Sequence, residues 1–397
     1  MAKVDHPPGE VQRTRKRRSQ PTCSPSMFTA LLPSSSFSNT FFRSTKTLLS
    51  FSASALCRKP TNFCLPPLIA SRHFAQLSKM TDVTKYKLNH TMLRVKDPKK
   101  SVAFYTENFG MKLLKTLEVP EAKFTNYFLA FDGANAASSG KAWTDREGVL
   151  ELTHNWGTEN DPEYKVVTGN SDPYRGFGHI CVSVDNIEFF CDKLEANGVK
   201  FQKKLSDGRQ KDIAFALDPD GYWVELIWTR TPKTENFTDA SGYRMNHTMI
   251  RVKDPKKSLK FYQEVLGMKL LRTAEHEAAK FTLYFLGYNN DPNFVENSGV
   301  GVHNFEGVLE LTHNWGTESD PEFKGYHNGN NQPQGFGHIA ISVDDLDAAC
   351  ARFEEVGVKW KKRLTDGLMK NVAFILDEDD YWVEVIQNEA IKTQAGW

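Results

Sequence analysis

Short alternations of apolar and polar residues run along most of the chain and predict β-strands. In HTMLRV, at 90–95, Leu93 and Val95 fall on one face of a strand and Met92 and Arg94 on the other, because side chains alternate between faces. Comparable runs are KFTNYFLAF, LELT, DIAFAL and YWVELI, at 123–131, 150–153, 212–217 and 222–227. We therefore expect a protein built largely from strands with one buried face.

A helix is predicted after each strand that begins with histidine. Asp97 is placed to cap a helix whose first residue is Pro98. Asp185 likewise precedes apolar residues at helical spacing, and Gly198 and Gly357 stand where two such helices would end. With the short strands that follow, the pattern predicts a unit of one strand, one helix and about three more strands.

This unit is repeated along the chain. NHTMLRVKDPKKS, which begins at Asn89, returns as NHTMIRVKDPKKS from Asn246, and GVLELTHNWGTE at 148–159 returns unchanged at 307–318. Within each copy, HICVSVDNI or HIAISVDDL repeats the order of a histidine, an apolar alternation and an aspartate. A repeat of this length indicates a duplicated domain rather than a solenoid of short units. We expect four units in two tandem domains.

The first 79 residues differ in composition from the rest. They hold twelve Lys and Arg against two acidic residues, a net charge of +10, so the total of +1 leaves −9 for the remaining residues. Such basic, serine-rich composition is typical of a transit peptide, and an optional upstream extension is the alternative. We expect a disordered extension at 1–79 and domains at 86–232 and 243–390.

The composition indicates a soluble protein of a reducing compartment. No apolar run is long enough to span a bilayer, and the six cysteines show no CxxC pair. We expect a cytoplasmic protein, and a mitochondrial one as well if 1–79 acts as a presequence. The basic run RTRKRR at 13–18 is a weak signal for nucleic acid, so we expect neither nucleic-acid nor membrane partners.

One histidine and one glutamate recur in every unit. A single histidine before a strand is more often a core or capping residue, and a single glutamate often lies on the wet face of a sheet. Eight in register favour metal ligands, because two imidazoles and two carboxylates suit a divalent first-row metal with positions open for substrate oxygens. Taken by repeat, the two sets are His90, Glu151, His179, Glu225 and His247, Glu310, His338, Glu384.

The motifs NHTMLRVKDPKKS, LELTHNWGTE, GFGHI and DPDGYWVEL together resemble those of glyoxalase I, or lactoylglutathione lyase, in its fused two-domain form. The likeness covers residues 88–390. It implies the vicinal oxygen chelate fold, an α+β architecture of paired βαβββ modules, with four modules here forming two curved sheets. It also implies a monomer, because the fused repeats replace the two subunits of a homodimer.

The same resemblance implies that each metal site draws ligands from both repeats. The implied metal is zinc, one ion per site and up to two per chain, with nickel or cobalt as alternatives. Site one would be formed by His90, Glu151, His338 and Glu384, and site two by His247, Glu310, His179 and Glu225.

The implied reaction converts the hemithioacetal of methylglyoxal and glutathione into S-lactoylglutathione through a metal-stabilised enediolate, which detoxifies methylglyoxal. Glu225 and Glu384 are the implied bases that move the proton. Residues carried over as glutathione anchors are Arg94, Asn155 and Lys362 for site one, and Arg251, Asn314, Arg175 and Lys203 for site two.

The two copies differ at positions that bear on glutathione. Gln334 stands in place of Arg175, so site one is expected to hold the tripeptide less tightly, by about 1.5 to 3 kcal/mol for one charge-assisted hydrogen bond. Asp380 also replaces Gly221 in the turn before Glu384.

Two other functions fit part of the pattern. An extradiol-type dioxygenase of the same fold would hold iron with two histidines and one carboxylate, which leaves the fourth ligand unexplained. A binding protein of the same fold, with or without metal, would not need all eight ligand-type residues.

Overall fold

The structure, a computed structural model, describes residues 80–231, 237–299 and 301–391, so the predicted extension at 1–79 lies outside the described residues. Within those ranges the first repeat forms two modules, each a strand, a helix and three strands. Module one contains β1 (Lys87–Val95), α1 (Pro98–Ala103), β2 (Lys112–Val119), β3 (Phe124–Ala130) and β4 (Val149–Asn155). Module two contains β5 (Phe177–Val184), α2 (Ile187–Ala196), β6 (Phe201–Lys203), β7 (Ile213–Leu217) and β8 (Trp223–Trp228).

The second repeat has the same order of elements. Module three contains β9 (Arg244–Arg251), α3 (Pro255–Lys260), β10 (Lys269–His276), β11 (Phe281–Gly287) and β12 (Val308–Asn314). Module four contains β13 (Phe336–Val343), α4 (Leu346–Glu355), β14 (Lys359–Lys362), β15 (Val372–Leu376) and β16 (Trp382–Gln387). The predicted α+β class with four βαβββ modules is confirmed.

The modules combine across the repeats to form two eight-stranded sheets. Sheet one has the strand order β14-β15-β16-β13-β1-β4-β3-β2, so it joins module one to module four. Sheet two has the order β10-β11-β12-β9-β5-β8-β7-β6 and joins module two to module three. At each junction the first strands of two modules pair antiparallel, β1 with β13 and β5 with β9.

The two sheets pack against each other through one face of these junction strands. Thr91 of sheet one and Thr248 of sheet two share a hydrogen bond between their hydroxyls, and the rings of Phe336 and Phe177 stack with centroids 5.0 Å apart. Because side chains alternate along a strand, His90 lies on the opposite face of β1 from Thr91. The histidines therefore face away from the packed interior, on the outer faces of the sheets.

The first helix begins as the sequence predicts. The Asp97 carboxylate accepts the backbone N–H of Lys99 at 3.1 Å, and Pro98 occupies the first helical position, where no hydrogen bond from its nitrogen is required. Gly198 and Gly357, with φ of 78° and 72°, stand just after α2 and α4 and reverse the chain at little steric cost.

The cap of α2 lies one residue later than predicted. Asn186, rather than Asp185, caps the helix and accepts the N–H of Phe189 at 3.1 Å. The carboxylate of Asp185 accepts instead the hydroxyl of Thr238 at 2.5 Å and the N–H of Asp239 at 3.1 Å. Asp185 thus ties the segment between the repeats to module two.

No helix among the described residues is both long enough and apolar enough to cross a lipid bilayer.

Candidate metal centres

Four side chains from modules one and four meet on the outer face of sheet one. The Nε2 atom of His90 lies 3.2 Å from Nε2 of His338, 2.9 Å from Oε2 of Glu151 and 3.3 Å from Oε2 of Glu384. The Nε2 atom of His338 lies 2.6 Å from Oε2 of Glu384 and 3.5 Å from Oε2 of Glu151. All four side chains are buried and converge on one point.

Sheet two carries the matching cluster. The Nε2 atom of His247 lies 3.2 Å from Nε2 of His179, 2.9 Å from Oε2 of Glu225 and 3.1 Å from Oε2 of Glu310. The ligand atoms of this set also lie within 4.8 Å of one another. The structure therefore groups the eight residues across the repeats, as the family resemblance implies, and not one set per repeat.

Strand register explains this grouping. On sheet one, Met92 lies level with Glu151 on β4 and with His338 on β13. His90 in turn lies level with Ala340, which pairs with Glu384 on β16. The antiparallel junction thus brings the His–Glu pair of one module beside that of the other, around a pseudo-twofold axis.

The donor set fits a divalent metal. Bonds of about 2.0 to 2.2 Å from nitrogen and carboxylate oxygen to one ion require donors roughly 3 to 3.5 Å apart, which matches most of the separations in both clusters. Burial raises the pKa of Glu384, but the charge and hydrogen bond of His338 outweigh it and hold the pKa well below its usual range. Glu225 shows the same balance against His179. Both carboxylates are therefore ionised, as metal ligands must be.

Asn89 orients the first histidine, a role that the sequence analysis missed. Its Nδ2 donates to the carbonyl oxygens of Trp143 and Arg146 at 2.8 and 2.7 Å, so its Oδ1 is the atom 2.7 Å from Nδ1 of His90. Because an amide oxygen only accepts, Nδ1 of His90 carries a proton, which leaves Nε2 as the ring nitrogen that can bind a metal. The asparagine that precedes histidine in both NHTM motifs was the available signal.

The second repeat has the same arrangement. The Oδ1 atom of Asn246 lies 2.8 Å from Nδ1 of His247, and its Nδ2 donates to the carbonyl oxygens of Val302 and Phe305 at 2.8 Å each.

Each cluster lies in the wall of a cavity. The cavity of site one has a volume of about 450 Å³ and is lined by Glu151, His338 and Glu384 together with Arg94 and Asn155. The cavity of site two has a volume of about 460 Å³. Its lining includes all four members of the cluster, together with Arg251, Asn314 and Arg175. Five of the seven predicted glutathione anchors thus line the expected cavities.

The buried arginines are fixed by the backbone of the partner module. In site one, Arg94 donates to the carbonyl oxygen of Phe336 at 3.2 Å and to Oδ1 of Asn330 at 2.8 Å. In site two, Arg251 makes the equivalent bonds to Phe177 and Asn170 at 3.0 and 2.9 Å. Burial lowers the pKa of both guanidinium groups, which nevertheless keep their charge.

Lys203 and Lys362 are not among the residues that line the cavities. The Nζ atom of Lys203 donates to the carbonyl oxygens of Gln210 and Ile213 at 2.8 and 2.5 Å, and Lys362 makes the corresponding bonds in the second repeat. Both ammonium groups therefore hold the loop that precedes β7 or β15. Direct binding of glutathione by these lysines stays a prediction.

The substitutions between the copies have different structural consequences. Arg175 lines the cavity of site two, whereas the Nε2 of Gln334 donates to the carbonyl oxygen of Asn330 at 3.1 Å, and Gln334 is not among the lining residues of site one. Asp380 keeps the turn of Gly221, because it adopts a φ of 62° where the glycine has 89°. For a residue other than glycine, this left-handed conformation costs on the order of 1 kcal/mol. The turn that leads into the strand of Glu384 is nevertheless preserved.

Comparisons with known proteins agree with this architecture. Residues 87–226 and 244–385 each match the family model of the Glyoxalase/Bleomycin resistance protein/Dioxygenase superfamily. The chain is 53% identical to Glyoxalase I of Saccharomyces cerevisiae over 328 residues, which cover 81% of this chain and 98% of that protein. It is 52% identical to Lactoylglutathione lyase of Schizosaccharomyces pombe over 314 residues, which cover 79% of this chain and 100% of that protein.

Among solved structures, the chain is similar to glyoxalase I from Zea mays, with a TM-score of 0.55 and 29% sequence identity. The match covers 77% of this chain and 93% of the maize chain.

Proposed function

Because the chain belongs to the Glyoxalase/Bleomycin resistance protein/Dioxygenase superfamily, we propose that it isomerises the hemithioacetal of methylglyoxal and glutathione to S-lactoylglutathione. The observation that carries the proposal is the pair of buried His₂Glu₂ clusters, each in the wall of a cavity that also presents a buried arginine and an asparagine. The S. cerevisiae and S. pombe relatives, named Glyoxalase I and Lactoylglutathione lyase, are matched over nearly their full lengths.

Zinc is the metal that we propose for both clusters, with nickel and cobalt as alternatives that suit the same nitrogen and oxygen donors. When bound, a divalent ion supplies Lewis-acid stabilisation of negative charge on the substrate oxygens. His90, Glu151, His338 and Glu384 would hold it in site one, and His179, Glu225, His247 and Glu310 in site two.

Glu384 and Glu225 are proposed as the groups that move the proton. A carboxylate oxygen takes the proton from the hemithioacetal carbon and returns it to the neighbouring carbon, while the hydroxyl proton moves to the neighbouring oxygen, so the net change is an isomerisation without an external oxidant or reductant. In site one, the Glu384 side chain is more exposed to the cavity than that of Glu151, at 11% against 3%, which supports Glu384 as the base. In site two the difference is in the same direction, 9% for Glu225 and 6% for Glu310.

The arginines and asparagines are proposed to hold the tripeptide. Arg94 lies four strand residues from His90, roughly 13 Å along the same face, and Arg251 stands in the same relation to His247. A guanidinium at that distance suits a carboxylate of glutathione, with which it can form two parallel hydrogen bonds. Asn155 and Lys362 are proposed to assist in site one, and Asn314, Arg175 and Lys203 in site two.

We propose that the protein acts as a monomer in the cytoplasm, with mitochondrial import if 1–79 serves as a presequence. Each cluster draws all of its four ligands from a single chain, which supports the monomer. Cys181, Cys191 and Cys350 are free thiols, which supports a reducing compartment.

The test is an assay of thioester formation from methylglyoxal and glutathione, with metal-free protein and with zinc, nickel or cobalt restored. We expect the metal-free protein to be inactive and at least one metal to restore turnover. The matched control is the double variant Glu225→Gln, Glu384→Gln, which should remain folded but inactive. No thioester in any metal form would exclude this function.

A further inference from the structure

The two cavities differ in charge on one side of the metal cluster. Site two is lined by Arg230, Arg272 and His303, which we call the cationic cluster. In site one, repeat alignment places Glu389, Lys115 and Thr144 at the corresponding positions. Glu389 and Thr144 line the first cavity, whereas Lys115 is exposed outside it.

Strand register places the cationic cluster away from the proposed glutathione anchors. Arg272 lies level with Phe285, and Phe285 lies level with the ligand Glu310. The row that contains His276 and Asn314 lies four residue pairs farther along β10 and β12, at the end where Arg251 is found. Arg272 is therefore level with the metal cluster, while the predicted tripeptide anchors lie beyond it on one side.

Arg230 lies at the other end of the same site. Strand β8 runs parallel to β5, with Trp223 level with His179 near the Arg175 end. Arg230 follows the far end of β8, two residues after Trp228, so the ligand Glu225 lies between it and Arg175 along the strand direction. With glutathione held at the Arg175 end, the part of the substrate that derives from the aldehyde and is bonded to the glutathione sulfur would extend toward Arg230.

The cationic cluster has unused hydrogen-bonding capacity. Among the described residues, the side chain of Arg272 has no hydrogen bond or ion pair, and the buried Nδ1 of His303 has no hydrogen-bond partner. Burial lowers the pKa of His303, and the charges of Arg230 and Arg272 lower it further, which places all three groups in one electrostatic neighbourhood. Such a group of donors has the charge and hydrogen-bonding capacity to bind an anion.

One acidic residue accompanies the cluster. Arg230 lies 3.5 Å from the carboxylate of Asp212, with both side chains about half exposed, and its guanidinium stacks 5.1 Å from the ring of Trp228. An exposed pair of this kind contributes little energy and leaves donors of Arg230 open. With the metal-ligating carboxylates set aside, the cluster retains a positive charge even when His303 is neutral.

Site one has an apolar surface at the same place. Trp143 stacks on Phe128 with ring centroids 4.1 Å apart, and its centroid lies 6.2 Å from that of His90. Leu117 and Met369 also line this cavity, where site two has Ala274 and Gln210. This wall can pack against an uncharged substituent, but it presents no cation that could bind a carboxylate.

We propose that site two accepts hemithioacetals whose aldehyde-derived part carries a carboxylate, bound by the cationic cluster, whereas site one favours uncharged ones. The inference rests on the proposed function and adds a division of substrates between the sites. The carboxylate accepts hydrogen bonds from Arg272, Arg230 and Nδ1–H of His303 while the reacting carbons lie at the metal cluster.

The kinetic test uses the full zinc-loaded chain with one site disabled at a time. The substrates are glutathione adducts of 4,5-dioxopentanoate, which ends in a carboxylate, and of 2-oxopentanal, which ends in a methyl group. In the Glu384→Gln variant, where site two works alone, kcat/KM should favour the carboxylate by about tenfold. In the Glu225→Gln variant, where site one works alone, that preference should be absent or reversed.

Substitutions in the cluster then test its role. Adding Arg272→Gln and Arg230→Gln to Glu384→Gln should reduce the ratio of the two kcat/KM values about tenfold, toward that of site one. The matched control adds Lys115→Gln, the exposed counterpart of Arg272 in the other sheet, and should leave the ratio unchanged. An unchanged ratio with both arginines removed would overturn the proposal.

A binding measurement separates this inference from the proposed function. S-(3-carboxypropyl)glutathione and S-butylglutathione are titrated into the zinc-loaded Glu384→Gln protein by calorimetry. The carboxylate-bearing conjugate should bind site two about tenfold more tightly, and the two arginine substitutions should remove the difference. If methylglyoxal is not turned over but the carboxylate-bearing conjugate binds more tightly, only the proposed function is contradicted. If both conjugates bind with equal affinity, the proposed carboxylate subsite is contradicted.

Discussion

The Nε2 atoms of His90 and His338 lie 3.2 Å apart although 248 residues separate them in the chain. Their approach depends on the antiparallel pairing of β1 with β13, which joins the first module to the last. Each metal cluster is therefore formed where strands of two modules pair. A substitution in one repeat affects a site whose other two ligands come from the other repeat.

Disabling the two sites one at a time should reveal unequal contributions to turnover of methylglyoxal. Glu225→Gln should remove most of the activity and Glu384→Gln the smaller part, because Arg175 lines the cavity of site two and its counterpart Gln334 does not line that of site one. The measurement is the steady-state rate of thioester formation with metal content verified for each variant. Equal losses would contradict the dominance of site two.

Exchange of the diverged residue should transfer glutathione affinity between the sites. With site two working alone, Arg175→Gln should raise KM for the hemithioacetal about tenfold, since one charge-assisted hydrogen bond is lost. With site one working alone, Gln334→Arg should lower KM for the hemithioacetal. If neither change moves KM, Arg175 does not contact the tripeptide.

Loss of the asparagine behind a histidine should weaken metal binding at one site only. Asn89→Ala removes the acceptor for Nδ1–H of His90 and should reduce zinc affinity of site one by about 10 to 100-fold. Competition with a chelator measures it, and the zinc at site two, whose Asn246 is intact, is the internal control. Asn89→Asp keeps an acceptor and should restore much of the affinity, which a purely structural defect would not permit.

Two partly buried glutamates, Glu147 and Glu306, predict a pH-dependent stability. Burial raises the pKa of Glu147 and Glu306 to about 7, from an ordinary value of 4.5. A raised pKa means that the folded state holds protons which the unfolded state has released, so the free energy of unfolding falls as pH rises from about 4.5 to 7. Glu147→Gln should flatten this decline and be more stable than the parent above pH 8, on the order of 1 to 2 kcal/mol after allowance for partial exposure.

Urea denaturation at pH 5 and pH 8.5 measures this difference, with exposed Glu163→Gln as the control that should not change it. A gain in stability that is the same at both pH values would exclude titration of Glu147 as the cause.

The fold and the identity of the clustered residues could be predicted from the sequence because both depend on short-range patterns. Alternation in HTMLRV assigns His90 and Leu93 to opposite faces, and the repeated motifs mark the modules. The partners of each histidine could not be derived from alternation, since strand pairing between modules is a long-range property. The grouping by repeat was accordingly wrong, and the grouping across repeats followed only from the family resemblance.

Side-chain positions beyond the strands were the least predictable. Lys203 and Lys362 lie on short strands next to loops, and their reach allowed either the cavity or the loop carbonyls as a partner. The role of Asn89 was hidden because it depends on carbonyl oxygens more than fifty residues away, at Trp143 and Arg146. The cap of α2 moved by one residue because Asp185 has partners in the linker, at Thr238 and Asp239.

The strand order of the sheets also sets the order in which the two sites can be completed on the ribosome. All strands of sheet two lie between Phe177 and Asn314, so the cluster of His179, Glu225 and His247 needs only Glu310 to emerge before it can close. Sheet one is made of the two ends of the fold, and its first half must wait for β16. During synthesis, module one therefore has an unpaired β1 edge until β13 has been translated. Site two can therefore form early in biosynthesis, whereas site one can form only after Glu384 has been translated.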